Sequence, residues 1–131
     1  MQDRRGLAMA RVVFVAYTIL LLLGTLWPNL KVDVGDVPRP DLYLHLLAFG
    51  GFTALMLGCQ WFGPLLSARN IAWSGVVSTG FALANESAQG LPFIHRHARL
   101  DDAAANILGV ALPLMGALLL GAISNGGDAH D

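Results

Sequence analysis

Charged residues are scarce in this sequence. Only 13% of the 131 residues are charged, about half of the share that a soluble domain carries. A soluble chain this short exposes much of its surface to water, and so few charged side chains do not cover it. Together with the 55% of hydrophobic residues, this scarcity predicts a membrane protein with the lipid bilayer as its surroundings.

Other features are missing as well. The formal net charge is −1 and no long run of like charges occurs, so nucleic acid is not expected as a partner. A single cysteine, Cys59, excludes an intrachain disulfide. The sequence has no glycine-rich phosphate loop and no nucleotide motif, and we predict no cofactor.

Four apolar stretches are long enough to cross a bilayer. A hydrocarbon core of about 30 Å needs about 20 helical residues. Continuous apolar runs without two-residue alternation favour helices over barrel strands. We therefore predict an all-α membrane protein with a single domain over residues 1–131, an up-down bundle of four transmembrane helices. The predicted spans are residues 10–28, 41–63, 70–90 and 102–123.

The orientation of the bundle depends on its first helix. Cytoplasmic loops carry an excess of Lys and Arg, but with four spans this chain has four such residues on each side. Arg4, Arg5 and Arg11 precede the first span, whereas only Lys31 follows it closely. We therefore predict that both termini are cytoplasmic.

Small residues recur every four positions on three of the predicted helices. Such stripes let membrane helices approach closely. The three series are Gly50, Ala54 and Gly58 on the second helix; Ser74, Ser78 and Ala82 on the third; and Ala105, Gly109, Pro113, Ala117 and Gly121 on the fourth.

Polar and ionisable residues gather at one end of the predicted bundle. Such residues are costly in a membrane and usually mark a site. Because neighbouring helices alternate in direction, the start of the second, the end of the third and the start of the fourth face the same side. The candidate ligand-binding residues there, including the adjoining loop, are Asp41, His45, Glu86, Gln89, Arg96, Arg99, Asp102 and Asn106.

The same residues also have a purely structural interpretation. Asp41 and Asp102 are suited to capping helix N-termini, and Glu86 is suited to bridging Arg96 or Arg99. Capping alone does not explain why an imidazole and two carboxamides share the inward-facing positions.

Four ordered motifs in these segments resemble the VanZ-like family of small bacterial membrane proteins. They are Asp41-x-x-x-His45, Glu86-x-x-Gln89, Arg96 followed six residues later by Asp102, and Asp102-x-x-x-Asn106-x-x-Gly109. The resemblance covers roughly residues 41–116. It implies an integral protein of the bacterial cytoplasmic membrane, a family associated in some members with reduced sensitivity to lipoglycopeptide antibiotics such as teicoplanin.

The leading hypothesis is an envelope protein that is non-enzymatic or of undefined activity. Its extracytoplasmic polar cluster would bind a lipid headgroup or a glycopeptide-related ligand, with Arg96 and Arg99 donating to phosphate or carboxylate. A second hypothesis is a small accessory subunit of a larger membrane protein complex, held through the small-residue stripes.

A third hypothesis is a lipid-modifying intramembrane enzyme with His45 or His95 as its base. No Ser or Cys nucleophile accompanies these histidines, so we favour a protein that is not an enzyme. A metal site from His45, His95, His97 and Glu86 is a subordinate version, and because the histidine spacing is not diagnostic we predict no metal.

Overall fold

The chain folds into helices. A computed structural model describes residues 4–28, 33, 35–94 and 99–127. Within these ranges there are four α-helices, one short 3-10 helix and no strand. The helices are α1 (Arg4–Leu26), α2 (Pro40–Gly58), α3 (Ala68–Gln89) and α4 (Leu100–Gly127), with the 3-10 helix over Pro92–Ile94. The prediction of an all-helical protein is confirmed.

Three of the helices are long and apolar enough to cross a membrane. These segments are Arg4–Leu26, Pro40–Gly58 and Leu100–Ser124, which supports the prediction of a membrane protein. The third helix, α3, has sufficient length with 22 residues, but it is not among the three.

The helix α3 is less apolar on average than the other three because the side that faces the bundle is polar. Trp73, Val76 and Leu83 on the same helix are each at least half exposed. The buried polar residues are Asn70, Ser74, Ser78, Asn85, Glu86 and Gln89. Hydropathy averaged along the helix does not reflect that the polar residues point inward and the large apolar residues point outward.

The second helix ends at Gly58, earlier than the predicted end at Gly63. Gln60 has a φ of 49° and Gly63 a φ of 150°, so the backbone leaves the right-handed helical region soon after Cys59. Ser67 is the N-cap of the next helix, α3. Its side chain accepts a hydrogen bond from the backbone N–H of Asn70 at 3.2 Å.

The backbones of α2 and α4 touch where they cross. A Cβ added at Gly109 would collide with the carbonyl oxygen of Leu46 and would lie 3.0 Å from the backbone nitrogen of Gly50. A Cβ added at Gly50 would lie 3.4 Å from the carbonyl oxygen of Gly109. Gly109 therefore permits an approach that a side chain at that position would prevent, whereas a Cβ at Gly50 would be in ordinary van der Waals contact with α4.

The small-residue stripes are used unevenly. On α3, Ser74 and Ser78 are fully buried. On α2, only Gly50 makes the expected close contact, because Ala54 is exposed and nothing lies within 4 Å of a Cβ built at Gly58. Close approach thus depends on the middle of α2 and not on its whole length.

Phenylalanine side chains join α1, α2 and α3 in the middle of the bundle. The rings of Phe52 and Phe81 stack with their centroids 4.4 Å apart, and Phe14 lies against Phe52 at 5.0 Å. Phe49 is fully buried beside them. This apolar cluster separates the polar residues at the two ends of the bundle.

Gly109→Ala is expected to destabilise the protein. Alanine favours a helix over glycine by about 1 kcal/mol, but here its methyl group would push α4 away from Leu46, and overpacking of this kind typically costs about 1–3 kcal/mol. Thermal unfolding in detergent, followed by circular dichroism, measures the change.

Gly116→Ala is the matched control on the same helix, because nothing lies within 4 Å of a Cβ at that position. We expect the control to unfold at or above the wild-type temperature. A Gly109→Ala protein as stable as Gly116→Ala would contradict the close crossing.

Candidate functional site

Five buried polar side chains lie where the starts of α2 and α4 meet the end of α3. Each of them is at most 7% exposed, and all five are among the residues predicted from the sequence. We call this set the polar layer. Its members are His45, Glu86, Gln89, Asp102 and Asn106.

Helix direction and spacing bring the polar layer together. Asp102 and Asn106 are four residues apart on α4 and therefore share a face. On α3, Glu86 and Gln89 lie three apart in the last turn, and α3 runs antiparallel to α2 and α4. His45 lies in the second turn of α2, next to the Leu46 carbonyl that touches Gly109.

Three members of the polar layer form a continuous chain of hydrogen bonds. Nδ1 of His45 lies 2.8 Å from Oδ1 of Asn106, and Nδ2 of Asn106 donates to Oε2 of Glu86 at 3.4 Å. The other carboxylate oxygen of Glu86 accepts from the backbone N–H of Arg99 at 2.8 Å. The chain links α2, α3 and the start of α4.

The carboxylate of Glu86 fixes the direction of this chain. A carboxylate only accepts hydrogen bonds, so Asn106 turns its NH2 group towards Glu86 and its oxygen towards His45. That oxygen needs a donor, so Nδ1 of His45 carries the proton. In the neutral imidazole the second nitrogen, Nε2, is then an acceptor.

Buried polar atoms at this end retain hydrogen-bonding capacity. Oδ1 of Asp102, Nε2 of Gln89 and Nδ2 of Asn85 have no hydrogen-bond partner within the part of the chain that the structure describes. An unpaired buried group of this kind costs about 1–3 kcal/mol. Oδ1 of Asp102 and Nε2 of Gln89 are therefore the groups of the polar layer that a ligand would satisfy, whereas the amide of Asn85 lies against Thr25 on α1.

Asn85 was not among the site residues predicted from the sequence. Its Oδ1 lies 2.8 Å from Oγ1 of Thr25 on α1, and the same hydroxyl lies 2.8 Å from the carbonyl oxygen of Leu21. A hydroxyl has one proton, so if it donates to Leu21 the amide nitrogen of Asn85 faces it instead. The position of Asn85, directly before Glu86 in an apolar stretch, was the available signal.

A second group of charged residues forms a more exposed rim. The guanidinium of Arg39 donates to Asp101 at 2.6 Å and lies 3.8 Å from Asp41. The guanidinium of Arg99 also donates to Asp101, at 3.1 and 3.2 Å, and these hydrogen bonds raise the pKa of Arg99. We call these four residues the rim; Arg39 and Asp101 were not predicted.

The rim changes the role of two predicted site residues. Asp41 and Arg99 have side chains that are 41% and 52% exposed, and they lie outside the buried hydrogen-bond chain. Glu86 is bound by the backbone N–H of Arg99 and not by its guanidinium, so the expected bridge between these two side chains is not formed. The predicted site thus divides into a buried layer and a charged rim.

Some predicted residues lie outside the described residues. They are Arg96 and the two histidines considered for a metal site, His95 and His97. Among the residues that are described, no group of three or more His, Cys, Asp or Glu side chains is arranged to hold a metal ion.

No family model matches the chain, and no match was found among curated proteins or solved structures. The resemblance to the VanZ-like family therefore rests on the four motifs alone.

Glu86→Gln is expected to reverse the hydrogen-bond chain. The backbone N–H of Arg99 can only donate, so it would hold the oxygen of the new amide, and the NH2 group would then face Asn106. Asn106 would have to turn its oxygen towards Gln and its NH2 towards His45. His45 would become the acceptor at Nδ1 and carry its proton on Nε2.

Nitrogen-15 NMR of histidine-labelled protein distinguishes the two tautomers, with the signals of His45 assigned from a His45→Phe sample. Asp36→Asn removes an exposed carboxylate and is the control, for which we expect the Nδ1-protonated ring. An unchanged tautomer in folded Glu86→Gln would show that Glu86 does not orient the chain.

Proposed function

We propose that the protein is a VanZ-like membrane protein with four spans, and that its polar layer binds a polar headgroup at the extracytoplasmic face of the bacterial cytoplasmic membrane. The observation that carries the proposal is the chain from His45 through Asn106 to Glu86. Ionisable groups are expensive to bury in a membrane protein and ordinarily serve a site. Here they are oriented by one another and lie beside atoms with unused hydrogen-bonding capacity.

The packing of α3 supports a fourth span. Near its start, Nδ2 of Asn70 donates to the carbonyl oxygen of Leu57 at 3.1 Å, close to the end of α2. Near its end, Glu86 accepts from Asn106, close to the start of α4. α3 therefore extends beside two helices that are apolar enough to span, and its 22 residues reach about 33 Å.

Aromatic side chains support the same placement. Trp and Tyr concentrate at the two surfaces of a bilayer. Trp27 and Tyr43 are exposed at the end that holds the polar layer, and Trp61 and Trp73 are exposed at the opposite end. All four helices, α3 included, extend from the level of one aromatic pair to the level of the other, as expected if the pairs mark the two surfaces of the bilayer.

The charges support an orientation with the polar layer outside. In the described residues at the opposite end, the charged residues are Arg4, Arg5, Arg11 and Arg69, without an acidic side chain. Because Lys and Arg are equally numerous at the two ends of the sequence, the orientation rests on the three arginines at the start of the first helix, which usually decides it, and we propose that this end is cytoplasmic. Binding would then take place on the envelope side.

Cysteine labelling tests the spans and the orientation together. In a Cys59→Ser background, single cysteines replace Asp36, Arg69 or Leu100, all of which are exposed. With a membrane-impermeant thiol reagent on intact cells, we expect Asp36→Cys and Leu100→Cys to react. Arg69→Cys should react only after permeabilisation.

The two parts of this proposal have different signatures. If Arg69→Cys alone reacts in intact cells, the orientation is inverted. If Arg69→Cys and Leu100→Cys behave alike, α3 does not cross the membrane.

Retention of lipid tests the binding function. Wild-type protein purified in mild detergent is expected to carry a polar lipid that Glu86→Gln loses, because the reversed chain no longer presents the same donors and acceptors. Mass spectrometry of the extracted lipid measures this, with Asp36→Asn as the control. Equal retention by folded Glu86→Gln and Asp36→Asn would argue against the polar layer as the site.

The family resemblance also supports a role in sensitivity to lipoglycopeptides. At equal protein level, wild type but not Glu86→Gln is then expected to lower the sensitivity of a bacterial host to teicoplanin. An equal effect of the two proteins would separate that phenotype from the polar layer.

A further inference from the structure

We infer that the headgroup recognised by the polar layer presents a primary ammonium group, as ethanolamine does, and not an anionic group. The inference rests on the binding function proposed above and adds the chemical class of the ligand. It follows from the balance of acceptors, the absence of counter-charges among the described residues of the layer, and the charge of this end of the protein.

The polar layer offers mainly acceptors. Oδ1 of Asp102 has no hydrogen-bond partner among the described residues, and Nε2 of His45 is an acceptor in the tautomer that the hydrogen-bond chain requires. Each carboxylate oxygen of Glu86 accepts one hydrogen bond, although an oxygen of this kind has two lone-pair sites. An ammonium group has three donors and no acceptor, and therefore complements such a set.

Two buried carboxylates form no ion pair with a cation in the part of the chain that the structure describes. Glu86 and Asp102 are each 6% exposed, and in the described ranges every ion pair goes instead to Asp41 or Asp101 on the rim. A buried carboxylate is stable when a cation or several hydrogen bonds compensate it. A ligand ammonium supplies both the positive charge and the N–H donors.

The guanidinium groups of the rim are already engaged. Arg39 and Arg99 both donate to Asp101, so they are poorly placed to neutralise a phosphate within the layer. This end is also acidic as a whole, since residues 27–45 and 86–106 contain six Asp/Glu and four Lys/Arg. Of the two arginines that were expected to bind phosphate or carboxylate, Arg99 is therefore less suited to that role in this geometry, and Arg96 lies outside the described residues.

One unpaired donor suits the rest of such a headgroup. The side chain of Gln89 is 2% exposed, and its Nε2 has no hydrogen-bond partner within the described ranges of the chain. Ethanolamine carries an oxygen two carbons from its nitrogen, which provides the acceptor that this amide needs. A neutral sugar would also offer hydroxyl donors and acceptors, but it would leave both carboxylates uncompensated.

The test compares headgroups on wild-type protein. Binding is measured by native mass spectrometry for lipids with identical acyl chains that carry ethanolamine, choline, glycerol or glucose as headgroup. We expect the ethanolamine lipid to bind about tenfold more tightly than the choline lipid, because methylation keeps the charge but removes the N–H donors. The glycerol and glucosyl lipids are expected to bind as weakly as the choline lipid or less.

Two variants locate the preference. Asp102→Asn should reduce the preference for ethanolamine over choline to within about twofold, because the neutral amide does not match a charge-assisted acceptor. Asp36→Asn, an exposed acid at the same end, should retain the full preference. The headgroup series on wild type keeps the test decisive if Asp102→Asn does not fold.

Free ethanolamine identifies the source of the ammonium. Competition by millimolar ethanolamine would support the ammonium and indicate that the headgroup suffices. Its absence, with the preference for ethanolamine over choline lipid present, would indicate a lipid that also needs its acyl chains. Tighter binding of the glycerol or glucosyl lipid that depends on Glu86 would overturn the ammonium while leaving the proposed function intact. Equal binding of all four lipids, unaffected by Glu86→Gln, would overturn both.

Discussion

The arrangement of the site depends on the two hydrogen bonds accepted by the carboxylate of Glu86. One comes from a backbone N–H, whose direction the start of α4 fixes, and the other comes from the side chain of Asn106. The backbone N–H can only donate, so it holds one carboxylate oxygen in place. The other oxygen then fixes the orientation of the Asn106 amide, and that amide fixes the tautomer of His45. A single acidic residue on α3 thus determines which nitrogen of an imidazole on α2 holds a proton. Buried polar networks are specific in this way only when each member restricts the next.

The contact between α2 and α4 serves this network as well as the fold. Leu46, whose carbonyl touches Gly109, directly follows His45, and Gly109 lies three residues after Asn106. The distance between the imidazole and the carboxamide is therefore set by a backbone contact less than one helical turn away. This proximity explains why a glycine is needed at that point, although most other glycines in the described helices have room for a side chain.

The sequence was sufficient to predict the helical class, the end at which polar residues meet, and all five members of the polar layer, because alternating helix direction and i to i+4 spacing are local properties. Other features depend on tertiary contacts. Arg39 and Asp101 are 62 positions apart, and Thr25 meets Asn85 across 60 positions. Likewise, nothing in the residue type of Arg99 indicates that its backbone, not its guanidinium, binds Glu86. The early end of α2 reflects positive φ at Gln60, a residue without a strong preference for that conformation.

The inward polarity of α3 has a consequence for how the protein is made. A segment that carries Asn, Ser, Glu and Gln along one side partitions poorly into lipid on its own, yet its outward side is apolar and suited to lipid. During synthesis α3 would gain little by leaving the translocation channel alone. If α3 crosses the bilayer as proposed, insertion is favourable only when α2 and α4 cover its polar side, and the helices after α1 are then expected to enter the bilayer as a group. In that case the residues of the polar layer would also couple insertion of the chain to its assembly.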